Sequence, residues 1–392
     1  MKILHICLAS FYIDNYSYQE NLLPKFHKKL GHEVEIIASM QSFDCNGETS
    51  YIEKTSHSYL NENGIKVTRL QYKHSNPQLQ RLRHYIGTSE AVAAVSPDII
   101  FCHGCQFGDM PVIVDYVKAH PNVKLYIDSH ADYSNSASNW VSLHILHRII
   151  WRHEAQLALP YTERFWGVLP ARVDFLEENY KLPKEKCELL VMGGDDDEVI
   201  RASDPASVAK TKKRFGYTDN DFVIVTGGKI DEAKTQVLSL MEAVAEMAER
   251  VKLLVFGPVV PSMKAEFEKW LTCDRITYVP WANTSDSYDY FAVADLVTFP
   301  GRHSVYWEQA VAMGKPMLIK HWDGTTHVDC GGNVVYTSGD DRASLGADLE
   351  RLVLPEVLDG MSAVAQRAKT RFLYSDIAKR SIQLASDGKV ES

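Results

Sequence analysis

The sequence predicts an α/β protein made of two doubly wound units in tandem. Three observations predict it. The chain has 392 residues, room for two domains of roughly 150–200 residues each. Short apolar runs alternate with amphipathic stretches, which is the pattern of parallel strands joined by right-handed helical crossovers. A polar break near the middle interrupts that alternation, which then restarts.

In order, Ile3–Leu8 reads as the first buried strand, too short an apolar run for a secretory leader or a membrane span. Glu20–Leu30 reads as a helix that Gly31 stops, and Val34–Ala38 as the next strand. Further short strands fall at Ile99–Cys102, Leu125–Asp128, Phe165–Val168 and Leu189–Met192. Helices are expected at Leu79–Val95, Pro111–Ala119 and Leu143–Leu157 between them. Gly193-Gly194-Asp195-Asp196-Asp197 opens the break, so the first domain spans 1–192, a linker 193–205 and the second domain 206–372. The second alternation comprises a strand at Phe222–Val225, a helix at Ala233–Arg250 and strands at Lys252–Phe256, Ile276–Val279, Leu296–Phe299 and Pro316–Ile319. Ser362–Gln383 reads as helical, and 373–392 could cross back to the first domain.

Composition narrows the function. Hydrophobic residues make up 45% and charged residues 24%, as in ordinary globular proteins, and the net charge of −9 argues against a nucleic-acid partner. That charge is uneven: residues 1–190 carry −2 and the remainder −7, and 12 of the 15 histidines lie in the first part. Seven cysteines without a disulfide-like spacing suit a reduced compartment, which predicts a cytoplasmic protein. Cys102-His103-Gly104-Cys105 resembles half of a zinc or redox site, but no second pair follows at suitable spacing, so a structural pair is the expectation.

Three segments of the second half carry candidate chemistry. Thr226-Gly227-Gly228-Lys229 leaves a strand and leads to Lys234 at the start of a helix, where paired glycines let backbone approach an anion closely. Lys234 shares a helical stripe with Val237, Met241 and Val244, so it should point toward the sheet. A lone cation there opposes the helix dipole by about 0.3–1 kcal/mol, and a bound diphosphate would reverse the sign. Two solvated surface lysines are the competing reading. In Phe299–Pro316, Ser304 could cap a helix that Gly314 stops. Glu308 lies there among Val305, Tyr306, Trp307, Val311 and Met313, and a carboxylate so placed needs partners: sugar hydroxyls or another protein group. Pro280-Trp281 ends a strand where a base could lie. In open α/β sheets ligands gather at carboxyl ends of strands, and all three segments fall there.

At this point the chain resembles the GT-B retaining glycosyltransferases of family 4. The resemblance runs through Gly31-His32-Glu33-Val34, Leu190–Asp196, Lys213–Gly216 with Asp221–Ile224, Gly228-Lys229 with Lys234, Ala294-Asp295-Leu296 before Phe299-Pro300, Glu308–Pro316 and Ala368–Ala378. Lys229 stands where the family usually has Arg, and Pro300 stands where its first motif acid would fall, eight residues before Glu308.

The resemblance implies GT-B architecture, two Rossmann-like domains facing across a cleft, with the acceptor domain first and the nucleotide-sugar domain second. It implies transfer of a sugar from a nucleoside-diphosphate donor to a glycan, lipid-linked or small-molecule acceptor, with retention and with neither metal nor cofactor. Gly227, Gly228, Lys229, Lys234, Pro280, Trp281, His303, Ser304, Val305 and Glu308 would then bind the donor, with Glu308 on the ribose. Lys229 and Lys234 would stabilise the leaving diphosphate, helped by backbone N–H groups at His303–Val305. His130 resembles a family histidine near the reacting centre, and His103 ends the preceding strand similarly; both are expected on the acceptor side. Asp195-Asp196-Asp197 is expected to be linker rather than a metal motif. His144, His147, Arg148, Trp151, Arg152 and His153 make a basic, aromatic helical segment that could touch an anionic membrane or lipid-linked acceptor, or simply be a solvated face. A sugar-nucleotide 2-epimerase and a non-catalytic two-lobed sugar-binding protein are the rival readings.

Overall fold

A computed structural model describes residues 1–43, 49–52 and 55–383. The chain divides into two compact units, Met1–Val191 with the C-terminal residues from Ile377 onward, and Met192–Asp376.

The first unit is built on eight strands: β1 (Lys2–Cys7), β2 (Glu33–Ser39), β5 (His57–Leu60), β6 (Lys66–Leu70), β7 (Ile99–His103), β8 (Lys124–Ser129), β9 (Thr162–Gly167) and β10 (Cys187–Leu189). A separate two-stranded ladder, β3 (Gln41–Phe43) and β4 (Thr49–Tyr51), accounts for the intervening numbers. The sheet order is β10-β9-β8-β7-β1-β2-β6-β5, parallel except where β5 runs against β6. β1 and β7 are therefore neighbours at the point where strand order reverses; His103 ends β7, and His5 lies within β1. The buried sides of these strands are continuous apolar runs, as expected for a parallel sheet covered on both faces.

The second unit has an all-parallel sheet of order β13-β12-β11-β14-β15-β16. Its strands are β11 (Phe222–Gly227), β12 (Val251–Phe256), β13 (Ile276–Val279), β14 (Leu296–Phe299), β15 (Met317–Ile319) and β16 (Val334–Tyr336). The order reverses between β11 and β14, so Gly227-Gly228 and Pro300-Gly301 leave the sheet side by side.

Several elements differ from the sequence reading. Leu79–Val95 is not one helix: Pro77–Gln80 forms a single turn, and the chain reaches a helix at Thr88–Val95 only after Arg83 and Gly87 adopt positive φ. Ser142–Trp151 winds as a π-helix and continues as an α-helix over Arg152–Ala158. Residues 193–205 hold a helix, Asp196–Ser203, whose N-terminus Asp195 caps by accepting from the Asp197 amide at 3.0 Å. Ser362–Gln383 is broken into the end of Pro355–Ala368 and a final helix, Tyr374–Ser381. β5 and β6 are edge and near-edge strands of mixed polarity, and β16 is an edge strand of three residues, so none of them shows as an apolar run of strand length. No helix among the described residues is long and apolar enough to cross a membrane.

Candidate functional site

The second unit brings the glycine loop and the Phe299–Gly301 turn together. Thr226, Gly227, Lys234, Val237, Phe299, Pro300, Gly301 and Arg302 line one cavity at the carboxyl ends of β11 and β14. The backbone there is tightly specified. A Cβ on Gly227 would lie 2.3 Å from the Phe256 ring, and one on Gly257 would lie 2.3 Å from the Gly228 carbonyl oxygen. Gly228 itself has φ +103°, in the region that favours glycine, and a Cβ there would sit 3.5 Å from Lys234 Nζ.

Lys234 does not begin the long helix as expected. It closes a short 3₁₀ turn, Glu232–Lys234, that Asp231 caps, and the α-helix starts at Gln236. That turn aims the side chain across the glycine loop. Burial lowers the Lys234 pKa from its ordinary value and Asp231 partly offsets this, yet no described carboxylate pairs with it. A half-buried cation without an ion partner is a standing electrostatic cost that an anion in the cavity would remove. Lys229 is exposed on the same loop.

Glu308 is fully buried and does have protein partners, which sequence reasoning only half anticipated. His303 Nε2 lies 2.9 Å and His327 Nε2 2.8 Å from the same oxygen, Oε1. These two histidines outweigh the desolvation of the carboxyl and hold its pKa well below the ordinary carboxylate range. Glu308 Oε2 and His327 Nδ1 are buried without a partner among the described residues. His327 was missed because it lies 19 residues downstream, in a 3₁₀ turn with no motif around it. His303 is the outer partner, its side chain 14% exposed against 1% for His327.

The ligand atoms of His303, Glu308 and His327 lie within 4.8 Å of one another, a spacing that could also hold a metal ion. Two Nε2–H groups donating to one carboxylate oxygen satisfy the same geometry without an ion.

Ser304 does not cap the helix. The α-helix is Tyr306–Ala312, Val305 occupies the cap position, and Ser304 Oγ stands 3.5 Å from the Tyr306 amide. Seven residues make a weak dipole, so His303–Val305 is a poor diphosphate cradle compared with the glycine loop. Pro280 and Trp281 follow β13, two strands from β11 and hence roughly 10 Å away at about 4.8 Å per strand. Trp281 is 72% exposed, a free aromatic face rather than a packed one.

In the first unit, His130 follows β8, its Nε2 3.6 Å from Asp128 Oδ2. Asp128 outweighs burial and raises the His130 pKa. His103, expected beside the acceptor, is instead fully buried with both ring nitrogens engaged, by His5 and by Asp128. It is in register opposite Asp128 on the neighbouring strand and so acts on that carboxylate rather than on a ligand. Cys102 and Cys105 are both fully buried free thiols whose pKa burial raises, so they are structural. Over residues 140–151, His147 and Trp151 are buried, while Trp140, Val141, Ile145, Arg148 and Ile149 are exposed.

Fold defines the class. Two Rossmann-like α/β units in one chain are the GT-B architecture, and the likeness to solved structures follows it. HepE from Anabaena in complex with UDP-glucose matches with a TM-score of 0.65 at 17% identity, covering 97% of this chain and 98% of that one. Sucrose-phosphate synthase from Thermosynechococcus elongatus matches with a TM-score of 0.64 at 15% identity, covering 97% and 96%. UDP-GlcNAc 2-epimerase from Neisseria meningitidis bound to UDP-GlcNAc matches with a TM-score of 0.61 at 14% identity, covering 97% and 98%. No protein-family model and no curated protein matches the chain.

Proposed function

We propose that this chain is a retaining glycosyltransferase that takes a sugar from a nucleoside-diphosphate donor and passes it to a glycan, lipid-linked or small-molecule acceptor in the cytoplasm, without a divalent metal. The observation that carries the reading is Lys234: a half-buried cation with no ion partner among the described residues, set over a glycine at positive φ at the switch point of an open parallel sheet. A diphosphate bound there accepts from Lys234, and charge developing on it as the glycosidic bond breaks is met by a cation already desolvated and in place. Lys229, on the same loop, adds a second positive charge that solvent screens more strongly. The ribose donates a hydroxyl to Glu308 Oε2, and the base extends toward Trp281. In the first unit, Asp128 raises the proton affinity of His130, which suits this histidine to the acceptor side of the reaction.

Peripheral membrane contact belongs to the same reading. The exposed face formed by Trp140, Val141, Ile145 and Ile149 carries Arg148 and no acid, which suits an anionic lipid surface.

A 2-epimerase is the second reading, favoured by the grouping of one carboxylate with two histidines at Glu308, since epimerisation needs acid and base around a sugar ring. Thermal-shift screening of nucleoside diphosphates and their sugars tests what both readings share: at least one stabilises the protein, and Lys234→Ala abolishes the effect. Nucleoside diphosphate released only with an acceptor supports transfer, solvent deuterium at the sugar C2 supports epimerisation, and binding without turnover sinks both in favour of a binding protein.

A further inference from the structure

An aromatic face and a polar cluster meet in the first unit, at the start of helix Gln19–Lys29. The loop before that helix is stapled from below. Arg69, fully buried, donates to the Tyr12 carbonyl at 2.8 Å and to Asp14 Oδ2 at 3.3 Å. The Tyr59 hydroxyl donates to the same Asp14 oxygen at 2.6 Å, and Asn21 Nδ2 donates to the Ile13 carbonyl at 2.9 Å. Held at Tyr12, Ile13 and Asp14, the loop still leaves Tyr16 and Tyr18 each 41% exposed, with ring centroids 5.3 Å apart. Two aromatic rings kept in solvent by an anchored loop are apolar area placed for a ligand.

Immediately after Tyr18 the chain turns inward. Gln19 and Glu20, in the first turn of the helix, are both buried, Gln19 to 2% exposure. Gln19 Nε2 donates to Asp128 Oδ2 at 2.8 Å. A carboxylate accepts and does not donate, so this bond settles which end of the amide faces Asp128 and leaves Gln19 Oε1 as an acceptor. His130 Nε2 stands 3.6 Å from the same Asp128 oxygen, and the His130 side chain is partly exposed. Burial lowers the His130 pKa, and Asp128 and Glu20 more than offset it, so Glu20 lies near this ring. Glu20 also acts on Tyr18, whose pKa is raised by burial, by Tyr16 and by Glu20. The carboxylate thus joins the tyrosines to the histidine. Among the described residues, Gln19 Oε1 and Asp128 Oδ1 are buried without a partner. Both are acceptors, so what the cluster lacks is donors.

That shortage selects the occupant. Glu20 and Asp128 stand against one histidine, and the nearby cation Arg172 is tied to Asp132 at 3.1 Å. A phosphate or carboxylate would bring only acceptors and a like charge. A metal ion does not fit: among the described residues, only His303, Glu308 and His327 bring three such ligand atoms within 4.8 Å of one another. A bare apolar group would cover the tyrosines and leave the acceptors unmet. A pyranose meets both demands, with its C–H face on an aromatic ring and its edge hydroxyls donating inward.

We infer that Tyr16, Tyr18, Gln19 and Glu20, with Asp128 and His130, form a carbohydrate subsite that takes an uncharged pyranose unit of the acceptor. Its role as the acceptor subsite rests on the function proposed above; its affinity for a neutral sugar does not. Gln19 sets the specificity, because its free oxygen rewards a ligand hydroxyl. Transfer needs such a second sugar subsite, and epimerisation of a single substrate does not.

Saturation-transfer NMR on the full chain tests the subsite. The neutral probes are methyl α-glucoside, methyl α-galactoside, methyl α-mannoside and N-acetylglucosamine; the charged ones are glucuronate and glucose 6-phosphate. At least one neutral sugar should receive saturation at its ring C–H protons, and both anions should bind at least about tenfold more weakly. Tyr18→Ala alters an exposed ring, and Gln19→Leu removes the acceptor while keeping most of the side-chain volume. Each should weaken the neutral sugar about tenfold, with the near-UV circular dichroism of Tyr18→Ala unchanged. No saturation of any neutral sugar, an anion bound as tightly, or a sugar signal that survives Tyr18→Ala overturns the subsite, whatever reaction the chain performs. Full sugar affinity in Gln19→Leu overturns the role of Gln19. Sugar binding with the expected losses but no turnover of any sugar nucleotide leaves the subsite standing and removes the proposed function instead.

Discussion

Lys234→Met is the substitution that bears hardest on the proposed donor site. It removes the charge and keeps most of the apolar stem that packs along the glycine loop, so the fold should survive. At about 4 Å, a unit charge pair is worth about 4 kcal/mol at an effective dielectric near 20. Lys234 is only half-buried, so solvent screening reduces this toward the roughly 1.5–3 kcal/mol of a hydrogen bond to a charged group. Part of the desolvation cost is already borne in the free protein. At about 1.4 kcal/mol per tenfold, the dissociation constant for UDP should rise about 10- to 100-fold, with uridine affected by less than about twofold because it lacks the anion. Titration calorimetry with UDP and uridine measures both. Affinity for UDP should also fall as pH rises through the lowered pKa of free Lys234, since the neutral amine attracts no anion. Equal UDP affinity in the folded variant, or an equal loss for uridine, would refute the reasoning.

Gly257→Ala should cost at least about 2 kcal/mol in urea unfolding, because its Cβ meets a carbonyl oxygen at φ +113°, whereas Gly331→Ala, at φ +91° in open space, pays only the backbone strain of about 1 kcal/mol. Chelation with EDTA should leave nucleoside-diphosphate binding unchanged; zinc stabilisation that disappears in His327→Gln would replace the hydrogen-bonded reading of Glu308 with a metal site. Acid stability should follow the two depressed carboxyls. Asp128 and Glu308 stabilise the fold above the ordinary carboxylate pKa of about 4 and lose that contribution as pH falls toward their lower folded values, so Glu308→Gln should flatten the acid limb of the stability curve and leave its slope between about pH 5 and 8 unchanged. Co-sedimentation with vesicles should show preference for anionic over neutral lipid, reduced roughly tenfold by Ile149→Glu with Arg148→Glu; equal binding to both lipids would remove the membrane contact.

Much of this protein could be read from residue order. The strands that bury both faces, such as Ile99–His103 and Leu296–Phe299, announce themselves as apolar runs because a covered parallel sheet has no polar side. The glycine loop and the stranded look of Glu308 were legible too, since φ near +100° and a carboxylate among aromatics are local demands that only certain residues meet or pose. Tertiary structure alone supplied the answers. That Glu308 is closed off by His303 and by His327, and that Gln19 meets Asp128 across 109 residues of sequence, depends on which elements the crossovers bring together. A buried histidine's role is set by its partners, and partners distant in sequence leave no periodicity for a sequence to display.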